Sequence, residues 1–223
     1  MMSVNLRSTF DREFGEIQQM LLELGKMLDW AIEQSMIALK HTNQELAQQV
    51  IDQDERVNEV RFKIEEACLT LIATQQPAAS DLRAVIAAIH IAVEMERMGD
   101  HAAGIAKTVI LMSEEPLLKT IKKIPKMAEL SRQMLADCLQ AYVQRDADWA
   151  RRIASQDEEM DLLYRAVFDR LIEIMAKKPD LITRATYLSW TAHNLERIAD
   201  RVTNIAERII FMATGDVKEL NVS

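Results

Sequence analysis

Apolar residues recur at three- and four-residue steps along almost the whole 223-residue chain, the spacing that lines one face of an α-helix. Leu21, Leu24, Leu28, Ile32 and Leu39 set the pattern in the first segment, which predicts a helix over about 8–41. Five more are expected, over about 43–75, 80–112, 125–145, 147–177 and 181–213. Pro77, Pro116, Pro125 and Pro179 all fall between these periodic segments, where a missing N–H does least harm. Thr42 and Glu45 form a capping-box signature before the second helix. Asp146 and Asp180 are placed to cap the fifth and sixth, and Gly215 suits a C-terminal stop.

The six helices are written as three plus three. "EMERMGDHAAGIAK" from Glu94 returns as "NLERIADRVTNIAE" from Asn194, so that Glu96, Arg97, Asp100, Ile105 and Ala106 recur at an offset of 100 residues. "ALKHTNQELAQQVIDQDE" from Ala38 aligns without gaps to "AYVQRDADWARRIASQDE" from Ala141, at an offset of 103. The drop between the two offsets leaves a shorter connection before the sixth helix than before the third, and loops are where a duplicated unit is free to vary. A unit of about 100 residues is too long for a solenoid repeat and suits a three-helix bundle. The expected fold is all-α: two tandem pseudo-repeated antiparallel three-helix bundles, residues 1–115 and 116–223, joined near 113–124 in an elongated molecule.

Each bundle has a matching seam. Ile91, Met95, Met98, Ala102, Ile105, Val109 and Met112 on the third helix correspond to Thr191, Leu195, Ile198, Val202, Ile205, Ile209 and Met212 on the sixth. The role expected of both is core packing.

The acids lie off these seams. Glu196 and Asp200, with His193, sit roughly 200° away from the apolar row, and Glu96 and Asp100 take the same place on the third helix. The second and fifth helices offer Asp54 with Asn58 and Asp157 with Asp161. Side chains four residues apart on a helix are about 5–6 Å from each other. Two readings stay open on spacing alone. A solvated face tolerates a like-charge pair at about 0.2–0.5 kcal/mol. A cation site would draw hard oxygen ligands from two neighbouring helices, and recurrence in both halves adds weight to it. Gly99 and Gly104 flank Asp100 at a cost of about 1 kcal/mol each inside a helix; they either admit a neighbouring helix or are incidental. Arg97 and Arg197 are expected to pair with acids such as Glu94. His90, His101 and His193 are left out of the candidate site.

Composition narrows the picture. A net charge of −8 makes the chain a poor nucleic-acid binder. Cys68 and Cys138 each stand inside an apolar helical pattern and read as buried thiols, which fits a reducing compartment. The first residues lack an apolar leader core and no run of about 18 apolar residues occurs, so a soluble, cytoplasmic protein is expected.

"ERMGDHAAGIA" and "ERIADRVTNIAE", each closing a three-helix unit, resemble the PhoU family of phosphate-transport regulators, as do "QDERVNEV", "QDEEMDLL" and "DLRAVIAAI". The resemblance covers essentially the whole chain. It implies two similar bundles, often dimeric, holding iron, manganese, zinc or magnesium on the bundle surface through E/D-x-x-x-D motifs. It implies a cytoplasmic accessory and negative regulator of phosphate uptake and phosphate-responsive signalling, with no reaction of its own. The partners so implied are the ATPase of a phosphate ABC transporter, a membrane sensor histidine kinase and a second copy of the chain, with membrane contact only through those partners. Carried over by motif, the metal positions are Glu96, Asp100, Glu196 and Asp200, with Asp54, Asp157 and Asp161 opposite. Asn58 stands where the pattern favours an acid and Gly104 where it favours Asn, so the second site is expected to bind metal more tightly. Two alternatives remain. A ferritin-like carboxylate-bridged enzyme needs Glu-x-x-His pairs facing an interior site, and none occurs at these motifs. An inert helical scaffold would use the acids only for solubility.

Overall fold

The structure is a computed structural model; it describes residues 2–112, 118 and 122–216, with side chains from Arg7 onward. Helices α1 (Met2–His41), α2 (Gln44–Gln75) and α3 (Ser80–Met112) pack into one three-helix bundle. Helices α4 (Lys123–Gln144), α5 (Ala147–Ala154), α6 (Asp157–Lys177) and α7 (Ile182–Thr214) form the second, with a 3-10 turn at Pro179–Leu181. The fold is all-α, as the periodicity predicts. The expected boundary between residues 115 and 116 lies outside the described residues, as does most of the connector around it.

Local chemistry sets most of the helix ends. Asn43, not Thr42, caps α2: its Oδ1 accepts from the Leu46 N–H at 3.0 Å, while Thr42 turns the chain at φ 51°. Asp146 caps α5, accepting from the Trp149 N–H at 2.8 Å. Gly215 ends α7 at φ 84°, its N–H bonding the Phe211 carbonyl at 2.8 Å. Asp180 does not cap the last helix; it lies within the 3-10 turn. The expected shortening of this connection is not seen: residues 178–181 span as much chain as residues 76–79 of the first half, and the helix ends take up the difference in offset.

The predicted fifth helix is broken in two. Ser155 Oγ donates to the Arg152 carbonyl at 2.7 Å and the Gln156 N–H closes on Ile153 at 3.0 Å, a tightened i,i+3 turn that interrupts the ladder. The helix restarts as α6 with Asp157, Glu158 and Glu159 in its first turn, where the helix dipole favours negative charge. The matching stretch of α2, with Asp52 in place of Ser155, runs unbroken.

Both predicted seams are buried along their full length, each large apolar side chain contributing about 1.5–3 kcal/mol. Among the described residues the fully buried polar side chains are Ser35, Thr108, Ser131, Thr191 and Thr203. Each donates its hydroxyl to a carbonyl of its own helix. Cys68 and Cys138 are buried and free, and burial pushes the Cys68 thiol up to about 12.

The bundles join along α3 and α7, which run antiparallel, and along α1 and α4. Glu94 accepts from Arg201 and Asn204, each at 3.1 Å, while at the matching place Asn194 Oδ1 lies 3.1 Å from His101 Nδ1. Arg132 grips Asp29 through two bonds of 2.6 and 3.0 Å. These two residues are 103 apart, the repeat offset of the second and fifth predicted helices, so each meets its own counterpart across the pseudo-twofold axis. Gly104 leaves room for Asn194, whose Oδ1 would lie 3.0 Å from a Cβ there.

Candidate functional site

The pairing of α2 with α3 and of α6 with α7 brings Asp54 near Glu96 and Asp100 in one half and Asp157 near Glu196 and Asp200 in the other. In the first, Asp54 of α2 faces Glu96 and Asp100 of α3. A Cβ on Gly99 would lie 2.8 Å from Asp54 Oδ1 and 3.1 Å from Val57 Cγ1, so this glycine exists to admit α2. Gly104 does the same for α7, and neither is incidental.

Asp54 Oδ1 is buried with no hydrogen-bond partner; the adjacent Asp100 is itself a carboxylate and can bond to it only if one of the two keeps a proton. Burial, then the Asp100 charge, hold the Asp54 carboxyl up at about 6, with Lys107 opposing and Glu96 adding to the rise. Glu96 is raised for the same reasons, burial first and Asp100 second, against Arg61 and Arg97. The Asn58 amide donates to the Asp54 main-chain carbonyl at 3.3 Å and so serves its own helix.

In the second half Asp157 opens α6, and Glu196 and Asp200 face it from α7. Burial and then Glu196 hold Asp200 up at about 6, with Arg197 opposing and Asp157 adding. Arg197, by its placement, is one difference between the halves. Its Nε and Nη2 donate to Glu196 at 2.7 and 2.8 Å, and its Nη1 lies 2.9 Å from Asp200. These partners raise its own pKa. His193 Nδ1 stands 3.7 Å from the same glutamate. Asp161 is turned toward Arg165 at 3.8 Å and is about half exposed (47%). Among the described residues, no three His, Cys, Asp or Glu side chains converge closely enough to hold a metal ion as they stand.

Some expectations need correction. Glu94 is taken by Arg201, not by Arg97 or Arg197. Arg197 instead clasps its own neighbour Glu196 and also reaches Asp200; the second contact is one that i,i+3 spacing could have suggested, the first is not. Arg61 and Lys107, which approach the first site from other turns, carry no mark in the repeat. The ferritin-like alternative finds no interior site, since no carboxylate is among the fully buried side chains of the described residues.

A tandem pair of three-helix bundles with an apolar core, and with acids at matching positions on the α2–α3 and α6–α7 pairs, defines an all-α repeat protein. The PhoU domain profile matches residues 21–109 and again residues 124–209. Over 216 residues the chain is 37% identical to the phosphate-specific transport system accessory protein PhoU homolog of Streptococcus pneumoniae, covering 97% of this chain and 100% of that one. The homolog of that name in Clostridium acetobutylicum is 33% identical, with 96% and 99% covered. The crystal structure of the phosphate transport system regulatory protein PhoU from Streptococcus pneumoniae superposes with a TM-score of 0.89 at 36% identity, over 95% of this chain and 100% of that one. That of PhoU from Pseudomonas aeruginosa gives 0.88 at 31% identity, over 93% and 100%. The chain belongs to the PhoU family.

Proposed function

We propose that this chain is a cytoplasmic accessory protein of phosphate uptake, restraining transport and phosphate-responsive gene expression when phosphate is plentiful. It acts by binding, with no reaction of its own. The observation that carries this reading is its end-to-end similarity to proteins named for the phosphate-specific transport system. The ATPase of a phosphate ABC transporter and a membrane sensor histidine kinase are its partners, and membrane contact comes through them; none of the described helices is long and apolar enough to cross a bilayer. Apolar side chains exposed on α2 (Phe62, Leu69) and α6 (Leu162, Phe168, Ile172) support contact with other proteins, a second copy of the chain included.

Metal binding is part of the proposal. Asp54, Glu96 and Asp100 would hold one ion, and Asp157, Asp161, Glu196 and Asp200 another. The donor set fits: carboxylate oxygens suit manganese, magnesium or ferric iron better than zinc. A buried carboxylate oxygen without a partner, beside a second carboxylate, is a group that a cation would satisfy. The carboxylates must turn inward to share an ion, because none of the described acids is gathered in a chelating triad. A bound ion would screen their repulsion and tie α2 to α3, or α6 to α7.

Deleting the gene tests the regulatory reading. Phosphate uptake and starvation-gene expression are expected to stay high in phosphate-rich medium, and the tagged chain is expected to retain the transporter ATPase from solubilised membranes. Normal shut-off in the deletion strain would overturn the proposal.

A further inference from the structure

The two acidic sites share Asp54 with Asp157, Glu96 with Glu196 and Asp100 with Asp200, and they differ in how cations approach them: Arg61 and Lys107 lie near the first, while Arg197 clasps the second. In the second, the Arg197 guanidinium fills the space between Glu196 and Asp200 with three charge-assisted contacts of 2.7, 2.8 and 2.9 Å. Its counterpart in the first, Arg97, is exposed and makes no ion pair among the described residues. Asp54 Oδ1 there stays buried without a partner. The neighbouring helix explains the difference. Arg61 on α2, held on Glu65 at 2.6 Å, already brings positive charge toward Glu96 and leaves Arg97 little to gain by folding inward. The matching residue of α6, 103 positions on, is Tyr164, which carries no charge, so Glu196 draws its counter-charge from the adjacent Arg197.

We infer that Arg197 is a resident counter-ion of the second acidic site, which a metal ion must displace, whereas the first site accepts an ion directly and fills first. This inference rests on the metal-binding reading and reverses the order of affinity that Asn58 suggests. It makes the two halves unequal: the first is occupied whenever metal is present, and the second responds only at higher concentration.

Calorimetric titration of the metal-stripped full chain with Mn2+ tests it. Two unequal steps are expected; Asp100→Asn should remove the tighter and Asp200→Asn the weaker. Arg197→Gln should tighten the weaker step by about tenfold, a modest gain because the guanidinium is partly solvated, and leave the tighter step within about twofold. Arg97→Gln should move neither. A readout that needs no metal is solvent exchange at the arginine Nε–H groups by NMR, expected to be slower for Arg197 than for Arg97. Two equal steps, a weaker step unmoved by Arg197→Gln, or an Arg197 Nε–H that exchanges as fast as that of Arg97 would each overturn this inference while metal binding stood. No Mn2+ binding in any variant would overturn the metal reading and this inference with it.

Discussion

A carboxylate half withdrawn from water beside another carboxylate keeps its proton to higher pH, and Asp54 and Asp200 both do so, to about 6 from an ordinary 3.8. Between about pH 4 and 6 the folded chain therefore holds protons that the unfolded chain has released. The stability these two groups contribute is fully present below about 3.8 and is lost as pH rises through 6. Asp54→Asn, neutral at every pH, is expected to stabilise the metal-free protein by about 1 kcal/mol at pH 8, allowing for solvent screening, and by nothing at pH 4. Thermal melts of the two proteins at both pH values check this, and an equal shift at each would rule out charge repulsion as the cause. Asp200→Asn should gain less, because it also removes a partner of Arg197.

At the scale of helices the tightest constraint is the approach of α2 to α3. Gly99→Ala would improve helix propensity by about 1 kcal/mol yet press a methyl against Asp54 and the buried Val57, so a net loss of about 1–2 kcal/mol is expected. Gly15→Ala meets nothing within 4 Å and should stabilise by about 0.5–1 kcal/mol. Urea denaturation of the two variants gives both signs, and a stabilising Gly99→Ala would mean that the helices have slack there. What the sequence shows at this scale is whatever depends on residues within a turn or two: the seams, the Asp146 cap and the Gly215 stop. Its silences have a common cause. The choice of Asn43 over Thr42 as cap follows from how the chain leaves α1. The break at Ser155 turns on a hydroxyl competing for a carbonyl, which apolar spacing does not report. The different fates of Arg97 and Arg197 are set by Arg61 and Tyr164 on another helix, and no spacing along one helix encodes them.

Across the whole molecule the bundles meet through charges that match only in one arrangement. Arg132→Asp would place two carboxylates together at the α1–α4 contact, with Glu33 also close to Arg132 at 3.2 Å, and should cost about 1–2 kcal/mol. Adding Asp29→Arg should recover most of that loss in a double-mutant cycle followed by urea denaturation. Failure of the second change to compensate would show that the pair carries no specific coupling. Because Asp29 and Arg132 occupy equivalent places in the repeat, two copies of the first bundle would set aspartate against aspartate, and two copies of the second arginine against arginine. Two second bundles would also thrust Asn204 into the gap that Gly104 leaves for Asn194. These contacts favour each bundle's neighbour over its own twin, so a single unit pairing with itself would give up the complementarity that the doubled chain has.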